Sequence, residues 1–287
     1  MKYDLLEEVF IFLLREGFTV KSLKGSCFDV IARKGSTVML IKALEDANAI
    51  NSEHINEMNK IASYIDTTPV IVAEKAGTKL EDNVVYSRLG IYTLNPATFK
   101  SAVTNKALFI KRTQAGLTAS ILGNKLKKVR ERKNLSLNDL AKKIGVSKRM
   151  ISKYENEGAE ITVNKAAKVY DLFGDSVFKK VNLLEAKEHE IAEPGTIIGK
   201  KYSNLGFKAS DIKKGPFDII AKKEKDIILT DVGDKTHKEF ISTSKLLDAK
   251  NLVIFKRKRP KDIPAMTKEE FMEFEKSNEL IKFLKEF

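Results

Sequence analysis

Cysteine is nearly absent. Cys27 is the single one among 287 residues, so an intrachain disulfide is excluded and a thiolate zinc site has no ligands from which to be built. Histidine is almost as scarce: His54, His189 and His237 are far apart in the sequence and lack the spacing of a metal-ligand cluster. No apolar run reaches the ~18 residues of a membrane-spanning helix. The opening MKYDLLEEVF carries acids where a secretory signal would not. A cytoplasmic protein with no membrane partner is expected. There is no glycine-rich phosphate loop, since Gly199-Lys200 lacks the preceding glycine, and no catalytic-triad spacing. These absences leave no expected cofactor, metal ligand or catalytic residue.

What the chain does have is positive charge. Lys and Arg number 52 against 39 Asp and Glu, a net +13 that favours an anionic partner. With 43% hydrophobic residues the chain can build two or three domains with cores of their own. The excess is partly local: between Gly123 and Gly158 there are eleven basic residues and four acidic ones. Lysine-rich surfaces are often only solvated, so the position of the charge matters more than its sum.

That position is a helical motif. Leu137, Leu140, Ala141 and Ile144 fall at i, i+3, i+4 and i+7, one apolar face of a helix. Ser136 stands before it as an N-cap, and Gly145 ends it in the left-handed region that glycine adopts most cheaply. Val146 plugs the turn and Ser147 caps a second helix, Lys148 to about Glu155, with Ile151 and Tyr154 inward. Ala141 is small because two steeply crossing helices leave no room at their contact. A helix over Asn124–Lys133 and another over Val163–Phe173 complete a small bundle. On Ala141, Gly145, Val146, Ile151 and the Tyr154-Glu155-Asn156 end, this segment resembles the helix-turn-helix domain of the Cro/XRE family of repressors.

Around it, the periodicity predicts an amphipathic helix over Tyr3–Arg15 and three strands over Phe18–Leu23, Cys27–Arg33 and Val38–Leu44. A helix over Glu53–Tyr64 and a strand over Pro69–Glu74 follow. Residues 108–122 read as a β-hairpin or linker. From Leu205 the chain repeats itself: LGFKASDIKKGPFDIIAKKEKDIILTDVGD aligns without gaps on EGFTVKSLKGSCFDVIARKGSTVMLIKALE from Glu16. The expected fold is therefore α+β and multidomain. A central all-α domain of four to five helices (123–185) lies between two related α/β domains (1–105 and 186–287), with 106–122 as hairpin or linker. Each copy, as helix, three-stranded meander, helix and strand, resembles the PD-(D/E)xK nuclease fold. That resemblance implies an Asp on the second strand and a Glu-x-Lys on the third. Asp29 and Asp218 match the Asp, but the third strands read Leu40-Ile41-Lys42 and Leu229-Thr230-Asp231, so both copies are expected to be degenerate and non-catalytic. The closing stretch with Leu280, Ile281, Leu284 and Phe287 is apolar enough to need a partner surface.

In a helix-turn-helix the second helix enters the major groove. Lys148, Arg149, Ser152 and Lys153 lie off the Ile151–Tyr154 face and are the expected base contacts, Arg149 being suited to guanine O6/N7. The family resemblance implies phosphate contacts for Ser136, Ser147 and Asn156, and Lys127, Lys128 and Lys143 can add to them. It also implies a structural pair between Arg130 and Glu155. The chain resembles archaeal helix-turn-helix regulators of the Cro/XRE class with long flanking regions, which implies a regulator binding double-stranded DNA; a homodimer held by the flanking domains is expected, the alternative being that the two copies pair with each other within one chain. A DNA nuclease targeted by this domain, or a coactivator-like or antitoxin-like protein-interaction factor, are the alternatives.

Overall fold

The computed structural model describes residues 2–183 and 193–286. Residues 184–192, which include His189 and most of the charged connector expected after Phe173, lie outside the described residues, as does Phe287. Contacts divide the chain into two units, Met1–Val72 with Leu184–Phe287, and Ala73–Leu183.

In the first unit Lys2–Arg15 forms α1, with Leu5, Val9 and Leu13 recurring about one turn apart on its buried side. Three antiparallel strands follow: β1 (Thr19–Ser22), β2 (Val30–Lys34) and β3 (Thr37–Asp46). The Asn51 side chain caps α2 (Ser52–Tyr64) by accepting from the His54 N–H, and β4 (Thr68–Ala76) lies beside β3.

In the second unit β5 (Thr78–Lys79) pairs with the end of β4, and β6 (Val84–Arg88) pairs with β7 (Ile91–Leu94). Proline opens α3 (Pro96–Val103) behind the cap residue Asn95. The hairpin β8 (Ile110–Thr113) and β9 (Gly116–Ser120) joins this sheet, because β8 runs parallel to β6. Four helices come next: α4 (Gly123–Arg132), α5 (Leu137–Ile144), α6 (Lys148–Glu157) and α7 (Val163–Phe173). A three-residue strand between the last two, β10 (Glu160–Thr162), pairs with β9 and carries Ile161 into the helical core. Its one apolar residue is too short a pattern to read as a strand from sequence.

The chain then returns to the first unit and repeats the opening fold: α8 (Ile197–Asn204), β11 (Lys208–Asp211), β12 (Ile219–Lys223), β13 (Asp226–Val232), α9 (Phe240–Leu247) and β14 (Lys250–Phe255). The strand registers coincide at a constant offset. Thr19 faces Arg33 as Lys208 faces Lys222, and Val30 faces Ile41 as Ile219 faces Thr230. Smaller details repeat too. Lys34 lies over the Phe18 ring at 5.6 Å and Lys223 over Phe207 at 5.9 Å.

The second copy extends further, through β15 (Ala265–Thr267), α10 (Lys268–Glu273) behind the Thr267/Glu270 capping box, and α11 (Ser277–Lys285). Here the sequence expectation is corrected. Leu280 and Leu284 are buried in the core of their own copy with Tyr202, Phe207 and Phe271, and Ile281 packs against the same core. These residues are satisfied within the chain.

The two copies pack on each other inside this unit, and the contacts are reciprocal. α2 lies on β12, and α9 lies on β1 and β2. Arg33 reaches the far end of α9, donating to the Leu246 carbonyl at 3.0 Å and facing Asp248 at 3.7 Å. Lys222, at the same repeat position, reaches Asp66 just beyond α2 at 2.6 Å. Each partner meets the other through equivalent surfaces, as a two-fold interface requires. Between them lie a buried bond from the Tyr64 hydroxyl to Ser210 Oγ (3.0 Å) and one from the Cys27 N–H to the Lys214 carbonyl (2.6 Å).

Candidate nucleic-acid interface

The helix-turn-helix is built from two capped helices. Ser136 Oγ accepts from the Asp139 N–H at 3.1 Å, and the Asp139 carboxylate returns to the Ser136 N–H at 3.1 Å, closing a capping box at the head of α5. The Ser136 hydroxyl also donates to that carboxylate at 2.5 Å, and this bond, with the one from the Ser136 N–H, holds the Asp139 carboxyl below the usual carboxylate range. Gly145 ends α5 at φ +78, and Lys165 donates to its carbonyl at 2.8 Å. Ser147 then caps α6, accepting from the Met150 N–H at 3.2 Å. Leu140, Ala141, Ile144, Ile151, Tyr154, Ala166 and Val169 close the core between the helices.

Burial divides α6 into two faces. Ile151, Tyr154 and Glu155 point inward, while Lys148, Arg149 and Lys153 are exposed and Ser152 is half-buried. Lys148 and Arg149 occupy the first turn, where free backbone N–H groups also face an anion. Lys153 is 3.9 Å from Glu157, an exposed contact of little energetic weight. Of the residues assigned to phosphate, Ser136, Ser147, Asn156, Lys127, Lys128 and Lys143 are all exposed. Ser136 and Ser147 also serve as caps, and Asn156 donates to Ser152 Oγ at 3.3 Å. Lys127 and Lys128 stand on α4, Lys143 on α5.

Behind this surface Arg130 joins α4 to α6. Its Nε donates to Glu155 Oε1 at 2.6 Å and Nη2 donates to Oε2 at 3.0 Å, while Nη1 donates to the Leu135 carbonyl at 2.7 Å. Both side chains are at least nine-tenths buried. The bond to Glu155 pushes the guanidinium pKa above its ordinary value. Sequence reasoning missed a second brace. Gly123 opens α4 against the end of α6, where a Cβ would lie 2.4 Å from the Glu155 carbonyl oxygen and 2.5 Å from that of Tyr154. Only glycine fits there, and a lone glycine before a basic helix carried no signal of that approach.

The Lys256-Arg257-Lys258-Arg259 run, in the other unit, is organised by one carboxylate. Asp234 Oδ1 accepts from the backbone N–H groups of Lys256, Arg257 and Lys258 at 2.8, 2.9 and 3.3 Å, which lowers the Asp234 pKa.

The nuclease-like positions have a geometry of their own. Asp29 Oδ2 accepts from the Ala43 N–H at 3.0 Å, and Asp218 Oδ2 accepts from the Val232 N–H at 2.7 Å, at equivalent positions of the repeat. Lys42 Nζ sits 3.1 Å from Asp29 Oδ1, both groups being buried. Leu40 and Leu229 are fully buried core residues.

With this geometry in view, comparison with known proteins is informative. The description "PD-(D/E)XK superfamily domain" matches residues 2–108, and "Helix-turn-helix" matches residues 126–174. A "Putative HTH-type transcriptional regulatory protein" of Archaeoglobus fulgidus is 30% identical over 98% of this chain and 97% of its own length. A protein of the same name from Methanocaldococcus jannaschii is 29% identical over 99% and 97%. One from Methanoculleus marisnigri is 33% identical over 81% and 80%. The chain belongs to this archaeal helix-turn-helix family. No solved structure matches it.

The PD-(D/E)XK fold implies a divalent metal. The group needs converging carboxylates on a hard cation. Here Lys42 lies 3.1 Å from Asp29, and Leu40, where the resemblance would expect a second carboxylate, is fully buried. No helix among the described residues is long and apolar enough to cross a membrane.

Proposed function

We propose that this chain is a transcriptional regulator that binds a specific sequence of double-stranded DNA, with α6 in the major groove. The division of α6 carries the reading: Lys148, Arg149 and Lys153 are exposed on its outer side, while Ile151, Tyr154 and the Arg130-bound Glu155 fix its inner side. Lys148, Arg149, Ser152 and Lys153 read base edges. Ser136, Ser147, Asn156, Lys127, Lys128 and Lys143 position the phosphates around them. The names of the relatives support the reading. The nuclease-like copies act without chemistry, as scaffold. Reading two half-sites one helical turn apart takes a second copy of the chain, so the functional species is a homodimer on DNA.

Selection of binding sites from a random duplex pool with the purified full chain tests the proposal. A single enriched motif, bound with an affinity that falls steeply with salt, is expected. Recovery of no motif, with weak and salt-insensitive binding, would favour a protein-interaction factor instead.

A further inference from the structure

The repeat makes one position of the second copy chemically conspicuous. In the first copy Lys42 supplies an ammonium 3.1 Å from Asp29 in a buried setting. The shared register places Asp231 where Lys42 stands, since Ile41 and Thr230 occupy equivalent positions and each residue in question comes next. The covalent cation is thus replaced by a second carboxylate, itself only 1% exposed. Two carboxylates then lie close together, Asp231 buried and Asp218 half-buried. A third group enters from the loop before α9. The His237 N–H donates to Asp231 Oδ2 at 2.6 Å, and His237 Nδ1 lies 2.5 Å from Asp231 Oδ1. One ligand atom each from Asp218, Asp231 and His237 falls within a span of 4.8 Å.

We propose that Asp218, Asp231 and His237 bind one divalent transition-metal ion. The ion stands in for the missing ammonium and cancels one buried and one half-buried carboxylate, where Lys42 cancels one. An imidazole nitrogen with two carboxylate oxygens is a borderline donor set, suited to Zn²⁺ or Co²⁺ rather than to Mg²⁺. Metal–ligand bonds of about 2.0–2.2 Å set ligand atoms roughly 3–3.5 Å apart, so His237 Nδ1 must move off Asp231 Oδ1 while Asp218 draws in, and side-chain rotation of the half-exposed His237 allows this. The arrangement differs from the nuclease-type site: Asp218 keeps the motif's Asp, but Asp231 stands at the motif's Lys position, His237 comes from outside the motif, and the buried Leu229 stands where the motif's Glu is expected. The site does not depend on the DNA-binding reading.

The test uses the full chain, stripped with EDTA and titrated with Co²⁺ while visible absorption is followed, and with Zn²⁺ by calorimetry. One equivalent bound at micromolar concentration is expected, together with a metal-dependent rise in Tm. Asp231→Asn and His237→Gln should each weaken binding by about tenfold or more. Asp29→Asn, at the equivalent place in the first copy, should leave binding unchanged. His237 is exposed, so His237→Gln keeps the test decisive should Asp231→Asn fail to fold. Absence of Co²⁺ and Zn²⁺ binding, binding indifferent to His237→Gln, or equal loss with Asp29→Asn would overturn the assignment.

Discussion

Arg130 and Glu155 form a two-pronged ion pair, 2.6 and 3.0 Å long, that ties α4, the first helix of the helix-turn-helix bundle, to the end of α6. Because both groups are buried, the pair is asymmetric in its consequences. Its net worth is modest, but losing one partner strands the other charge. Glu155→Ala should therefore destabilise the helical unit by about 3–5 kcal/mol. Urea unfolding, with Arg130→Met and the double mutant closing the cycle, measures the coupling. A coupling energy of zero would mean that the two charges act independently.

Gly123→Ala should be costly despite the smallness of the change. The added methyl meets backbone carbonyls rather than a side chain that could swing away. Separation of α4 from α6 should cost about 1–3 kcal/mol or more, read as a lowered midpoint in the same urea experiment. An unchanged midpoint would show that the helices separate freely.

Arg149→Ala and Lys128→Ala should differ in kind. The first removes the proposed base-reading fork and should lower specific affinity by about 1–3 kcal/mol, with relaxed preference at one guanine. The second should weaken specific and random duplexes about equally. Fluorescence anisotropy on both duplexes separates them. Equal behaviour of the two variants would mean that α6 is oriented differently on DNA.

Cleavage should be absent on duplex and branched DNA in the presence of magnesium. Asp29 is committed to Lys42 and to the Ala43 N–H, and Leu40 offers no ligand. Activity abolished by both EDTA and Asp29→Asn would instead make the first copy a working nuclease.

The helix-turn-helix was legible because its signals are local: a 3.6-residue period, two serine caps and a glycine stop, all within twenty-odd residues. The meanders were legible for a related reason, since the same alternating strands occur twice and the registers agree. What stayed hidden depends on contacts distant in sequence. Leu280 and Leu284 looked like spare apolar surface because their cover, Tyr202 and Phe271, comes from other elements of the same copy. The Gly123 approach depends on carbonyls more than thirty residues away. His237 looked isolated because a loop, not a helical or strand spacing, brings it to Asp231. Reciprocal packing of the copies left no pattern to read, because Arg33 and Lys222 look like ordinary strand-end cations.

Cys27 sits where the two copies meet, fully buried, with its thiol pKa pushed up to about 12, chiefly by burial. An aromatic disulfide reagent can reach it only after that joint has opened. As the sole cysteine, it makes the chain a self-labelled reporter: its modification rate under native conditions times the parting of the two copies and is blind to fraying of the helix-turn-helix, which contains no thiol. One unmodified sample thus yields the opening equilibrium of one unit separately from the global unfolding of the other.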